Sequence, residues 1–220
     1  MRGNAEHSLV GWEPAGWGFW LRWTLISAIG FALSFIVAAI LGTLWGVFLT
    51  LFGANPNVGL ALGALLLGLG VGAVIGLLQW FVLHRYLSRS GWWIAASAVG
   101  AGLGFAVALV VSGAANGWLL GGIVGGLVGG ALIGFLQWRV LRDALAQGAS
   151  YIWIGASAVA WALAMALIGI GMDSVARGTA TMRPGIILVA LLGLVGMIIA
   201  SAITGAVLLW LLRHPASRPQ

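Results

Sequence analysis

One phrase, written twice, constrains this chain more than anything else in it. Gly68, Gly72, Gly76, Gln79, Trp80, Val82 and Leu83 return 58 residues later as Gly126, Gly130, Gly134, Gln137, Trp138, Val140 and Leu141. Glycines four apart drift by only about 40° per step on a helix of 3.6 residues per turn, so each set forms one narrow stripe. Small residues in a stripe let two helix backbones approach closely, the packing that holds membrane helices together. The repeat therefore predicts a bundle of apolar helices built by copying a helical hairpin.

Composition agrees. Of 220 residues, 62% are hydrophobic and only 6% charged, with a mean hydropathy of +1.11. A soluble domain carries about 25% charged residues. Six apolar runs stand out, at approximately Trp20–Phe48, Leu60–Leu83, Trp92–Val111, Trp118–Leu141, Tyr151–Gly171 and Gly185–Leu212. Each is long enough for a bilayer core of about 30 Å. The first is overlong, and Gly42 or Gly46 offers a place for it to break. The fold class expected is an all-α integral membrane protein, a six-transmembrane helical bundle of three tandem two-helix repeats. The repeats cover approximately 17–88, 89–146 and 147–213 within one transmembrane domain, 17–213, flanked by a segment 1–16 and a tail 214–220.

The repeats match unevenly. Trp93-Ile-Ala-Ala-Ser97 is echoed by Trp153-Ile-Gly-Ala-Ser157, whereas the first run supplies a weaker match, Gly30-Phe31 to Gly104-Phe105. The last run keeps Gly205 and Trp210 but places Leu208 where the other copies have Gln79 and Gln137. All copies run in one orientation, unlike the inverted repeats of many transporters.

All the positive charge is Arg. Arg2, Arg22, Arg85, Arg89, Arg139, Arg142, Arg213 and Arg218 fall on one side of the expected topology. Only Arg177 and Arg183, in the connection 172–184 with Asp173, fall on the other. By the positive-inside rule both termini are cytoplasmic. An Arg-only, Ala- and Gly-rich chain suggests a bacterial plasma membrane protein. Glu6, Glu13 and Pro14 interrupt the region before the first run, so we expect no cleaved signal and a retained first span. Single Arg residues beside apolar runs point to headgroups and not to nucleic acid.

Few residues suit chemistry. Gln79 and Gln137 follow their glycine stripes by three residues, so each amide is expected to face a helix groove, and Gln79 to bond a backbone carbonyl or a serine such as Ser97 in the adjoining helix. With Trp80, Trp138, Ser97 and Ser157 they form the candidate ligand-binding set, while Gly68, Gly72, Gly76, Gly126, Gly130 and Gly134 are helix-packing positions. Leu in place of either glutamine is expected to cost about 0.6 kcal/mol, the average membrane hydrogen bond. Val82 is expected to face lipid. Of the 13 Trp, those flanking spans, among them Trp17, Trp20, Trp23, Trp92, Trp93, Trp118, Trp153 and Trp210, read as an interfacial belt. Trp45 and Trp161 read as deeper packing residues. His84 and His214 end Gly-rich spans as basic residues, and Arg139 has Asp143 four residues on as a partner.

No catalytic group, no metal cluster and no intramembrane carboxylate is visible, which argues against an enzyme and a proton pump. With no Cys there is no thiolate metal site. The cofactor is unknown. The leading expectation is a non-enzymatic polytopic membrane protein that binds lipid or another apolar ligand, or serves as a subunit of a membrane complex. Its partners are membrane lipids and either a second copy or another membrane subunit. A small-molecule transporter or channel with a pathway between repeats is the alternative, and a pigment- or quinone-associated accessory subunit a third.

Overall fold

In hydrocarbon no water pairs with exposed backbone N–H and C=O groups, so a chain of this composition satisfies them within helices. The computed structural model describes residues 16–53, 55–87, 90–142 and 151–213. It contains α1 (Trp17–Phe52), α2 (Pro56–Leu83), α3 (Trp92–Ala115), α4 (Trp118–Leu141), α5 (Tyr151–Ala176) and α6 (Met182–Arg213). All six are long and apolar enough to cross a membrane. The chain is a polytopic, all-helical membrane protein. Expectations placed on Arg2, Glu6, Glu13, Pro14, Arg89, Asp143, His214 and Arg218, on the tail, and on the segment 1–16 apart from Gly16 lie outside the described residues.

Five helices outrun their apolar cores. Polar and small residues continue a helix once its apolar neighbours have started it, so Ser112-Gly-Ala-Ala115 completes α3 and leaves Asn116-Gly117 as the whole connection. Asn116 ends that helix at φ 50° and Gly53 ends α1 at φ 63°, each donating its N–H to a carbonyl of the last turn. Positive φ favours these two residue types. Helix α1 runs unbroken through Gly42 and Gly46 for 36 residues, about 54 Å. The connection 172–184 is likewise mostly helix. Asp173 sits in the last turn of α5 and Arg183 in the first turn of α6.

Each helix packs on its neighbours in chain order, and α1 closes the ring on α6, with no close backbone approach across the ring among the described residues. Glycine sets the distances. A Cβ at Gly68 would lie 2.6 Å from the carbonyl oxygen of Ala101, and one at Gly76 2.8 Å from Ser97 Cβ, both on α3; one at Gly72 would meet the Ser97 carbonyl. The second stripe meets α5: Gly126 against Trp161 O at 2.5 Å, Gly130 against Ser157 O at 2.5 Å, and Gly134 against Ile154 Cα at 2.8 Å. Helix α4 has a further stripe that the sequence reading passed over. A Cβ added at Gly125 would lie 2.5 Å from Ala108 Cβ, and one at Gly129 2.8 Å from Gly104 Cα, both on α3. Pressed from two sides, α4 is the most closely packed helix of the ring.

The closing seam is built differently. Trp20 Nε1 donates to Ala202 O at 2.9 Å, Gly205 meets Trp23, and Gly193 meets Phe31. Beyond these contacts α1 rests on α2, through Leu41, Trp45 and Leu49 against Gly70, Gly63 and Gly59, and α6 rests on α5, through Gly185 against Val175. Ile36, Ile40 and Leu44 on α1, and Ile186, Ile187 and Leu191 on α6, are exposed.

Val82 corrects an expectation. It is buried with Leu83, Val140, Leu141 and Leu211 in a cluster one turn past the glutamines. The ring interior there is wide enough to need filling, so the residue faces inward and not to lipid. A control for the glycine contacts must come from elsewhere, and Gly155 on α5 has no atom within 4 Å of its Cβ position. Gly72→Leu and Gly130→Leu should each lower the melting temperature in detergent by several degrees, while Gly155→Leu leaves it within about 1 °C. Equal losses at all three would show that close backbone approach is not what the stripes provide.

Candidate functional site

Three tryptophans meet inside the ring. Trp23 on α1, Trp93 on α3 and Trp153 on α5 are 1%, 0% and 1% exposed. Their ring centroids stand 5.9 Å apart for Trp23–Trp93, 5.5 Å for Trp93–Trp153 and 6.5 Å for Trp23–Trp153. Such pairs contribute about 0.5–1.5 kcal/mol each beyond the area they bury. These three are thus not interfacial anchors. They flank their spans in sequence, but they sit on the inner faces of their helices, where the indole fills the ring's width.

A buried indole needs an acceptor for its N–H. Trp93 Nε1 donates to Gln79 Oε1 at 2.9 Å, and Trp153 Nε1 donates to Gln137 Oε1 at 3.1 Å. The amide ends turn the other way. Gln79 Nε2 donates to Ser27 Oγ and Gln137 Nε2 to Ser97 Oγ, both at 3.0 Å. Each glutamine thus ties the helix before it to the helix after it, α1 to α3 and α3 to α5. Gln79 bonds a serine, one of its two expected kinds of partner, but the serine is Ser27, and Ser97 belongs to Gln137. These contacts align Trp23 and Ser27 with the Trp93/Ser97 and Trp153/Ser157 pairs, four residues away from the match drawn on Gly30-Phe31.

The third side of the triangle solves the same problem differently. Leu208 stands at the glutamine position, 0% exposed, and Trp23 Nε1 donates instead to Thr204 Oγ1 at 3.2 Å. Thr204 lies one turn before Leu208, at the position that Ile75 and Ile133 occupy relative to Gln79 and Gln137. The chain therefore carries Ile with Gln on two sides and Thr with Leu on the third. No acceptor reaches Ser157, whose Oγ has no hydrogen-bond partner among the described residues.

Of the candidate ligand-binding residues, Gln79, Gln137, Ser97 and Ser157 come together beside the triangle and line one cavity of about 20 Å³ with Thr204, Ser201 and Met197. Trp80 and Trp138 are elsewhere. They lie half-buried near the helix ends, Trp80 against the ring of His84 at 5.2 Å and Trp138 stacked on Tyr151 at 5.3 Å with the Arg142 guanidinium 5.6 Å above it. One residue further on, a side chain has rotated by about 100° to the outside. A second cavity of about 10 Å³ lies among Gly104, Gly125, Gly129, Trp161 and Met165.

Sequence reasoning missed Trp23, Ser27 and Thr204. A Trp-x-x-x-Ser pattern at 23, 93 and 153 was the available signal for the first two. Asp173 also has a definite task. Its carboxylate accepts the backbone N–H of Trp118 at 2.8 Å and of Leu119 at 3.3 Å, with Arg177 at 3.3 Å. A negative charge on the first free N–H groups of α4 stabilises that helix end. The most polar feature at that end of the bundle is thereby a helix cap.

The contact pattern revises the expected cost of losing a glutamine. Gln79→Leu leaves both Trp93 Nε1–H and Ser27 Oγ unpaired, and a buried polar group without a partner costs about 1–3 kcal/mol. Ile75→Thr together with Gln79→Leu should recover part of the loss, since it copies the Thr204/Leu208 arrangement. Thermal unfolding of the single and double variants in detergent measures both effects. A double variant less stable than Gln79→Leu alone would show that a threonine one turn away does not serve as the acceptor.

No family model matches the chain, and no curated protein or solved structure matches it either.

Proposed function

We propose that the chain is a non-enzymatic polytopic membrane protein of three tandem helical hairpins that acts at its outer surface on lipid, another apolar ligand or a partner membrane subunit. One observation carries this reading: two interior cavities among the described residues measure about 20 and 10 Å³, against about 300–1,000 Å³ for an ordinary ligand pocket. The polar side chains beside them are largely committed to one another. Neither cavity has room for a quinone, pigment or solute, so we assign the engagement of a partner to the bilayer side. The end of α1 and α6 away from Arg22 and Arg213, where Ile36, Ile40 and Leu44 on α1 and Ile186, Ile187 and Leu191 on α6 are exposed, is the surface we assign to it. A Trp-Ser pair in each of α1, α3 and α5 supports the hairpin unit.

The expected outcome is that protein extracted with its native lipids carries lipid or a second protein, read by native mass spectrometry, and has no visible absorption band. A stoichiometric pigment or quinone, or solute flux in proteoliposomes abolished by blocking the ring interior, would replace this reading with one of the alternatives.

Orientation follows from the arginines. Arg22, Arg85, Arg139, Arg142 and Arg213 stand at one end of the bundle, and Arg177 and Arg183 at the other. We assign the first end to the cytoplasm of a bacterium. The native chain has no cysteine, so single cysteines at the exposed positions Arg85, Arg142, Asn116 and Thr179 report cleanly. An impermeant thiol reagent applied to intact cells should label positions 116 and 179 and spare 85 and 142. The reverse pattern would invert the assignment.

A further inference from the structure

We propose that the cavity beside the tryptophan triangle is a binding site for one water molecule, which completes on the α5–α6–α1 side the polar layer that Gln79 and Gln137 complete on the other two. The first observation is Ser157, 1% exposed and without a partner for its hydroxyl, lying in the cavity wall. Its counterparts Ser27 and Ser97 each receive a carboxamide N–H. Leu208 has no such group to offer.

The second observation is the size and lining of the space. A water molecule needs roughly 10–15 Å³ of free centre volume and two to four polar partners, and the cavity offers about 20 Å³. A hydroxyl donates once and accepts twice. Ser157 has its full capacity free. Ser97 accepts from Gln137 while donating to Trp93 O, and Thr204 accepts from Trp23 while donating to Ala200 O, so each keeps one lone pair. Ser201 donates to Met197 O at 2.6 Å and keeps both. A water accepting from Ser157 and donating to two of these oxygens satisfies every group around it. No carboxylate lines the cavity, and a buried ion without a counter-charge is disfavoured. The site takes a neutral water in preference to a cation.

The test combines a structure at a resolution that resolves ordered water with melting temperatures of two variants. The wild-type protein should show a peak about 3 Å from Ser157 Oγ; a cavity without density overturns the proposal. Ser157→Ala should lower the melting temperature by about 1–3 °C, because the water loses its donor. If the hydroxyl is dry and unpaired, the same change leaves the protein equally or more stable, and the proposal fails. Leu208→Gln should bring a carboxamide to Ser157, expel the peak and raise the melting temperature, with the gain absent in a Ser157→Ala background. A gain that persists there overturns the assignment of Ser157. Replacing Na⁺ by K⁺ or choline should leave the melting temperature unchanged; a shift would make the occupant a cation. Should Leu208→Gln fail to fold, the sign of the Ser157→Ala change and the density still decide.

Discussion

Three indole N–H groups enclosed in the middle of an apolar ring are the constraint around which the rest of this structure is arranged. A Trp placed there contributes a large apolar surface and ring contacts, but its N–H has no water to turn to. Every tryptophan on the inner face therefore demands an acceptor at a fixed height on the neighbouring helix. The chain meets the demand with Gln79 and Gln137 for Trp93 and Trp153, and with Thr204 for Trp23. Because a carboxamide has a donor end as well, the glutamine solution requires a further acceptor, which Ser27 and Ser97 supply. Threonine sends its own proton to Ala200 O in the same helix and makes no such demand.

Those bonds are short because the glycine stripes hold the helices close. Gly76 and Gly134 lie three residues before their glutamines and press on the helix turns that carry Ser97 and Ser157. A glycine within a helix costs about 1 kcal/mol against alanine in propensity. In lipid the backbone has no alternative partner to unfold toward, so the loss is more easily borne and the gain in contact is kept. On α6 the corresponding positions are Met197, Ser201 and Gly205, and the larger residues go with a different acceptor, Thr204.

The spans, their number and the inward position of Gln79 and Gln137 were legible in the sequence, because hydropathy and a spacing of four residues report directly on length and helix face. The tryptophans were not. Trp23, Trp93 and Trp153 begin their spans as Trp20, Trp92 and Trp118 do, and composition alone cannot separate an indole that turns inward from one at the headgroups. A step of one residue decides it: Trp92 is exposed and Trp93 is enclosed. The same step sends Trp80 and Trp138 outward while their neighbours Gln79 and Gln137 face in. Helix ends were misjudged for another reason. Ser112 through Ala115 and Asp173 through Ala176 look like loop, yet nothing in them stops a helix already running, and the stop arrives only with Asn116 and Gly178 in the left-handed region.

Comparing the three sides of the triangle separates what the fold requires from one particular way of supplying it. A carboxamide is dispensable, since Leu208 stands in its place in a well-packed seam. An acceptor for the indole is not, since Thr204 appears one turn away where the other two helices have Ile75 and Ile133. The exchange satisfies the tryptophan and leaves the serine. Ser157 remains on α5 with its hydroxyl facing the interior, while no side chain of α6 reaches it. On two of the three sides a carboxamide of the chain meets the serine, and on the third Ser157, like Thr24 on α1 and Ser112 on α3, keeps a buried hydroxyl without a partner among the described residues.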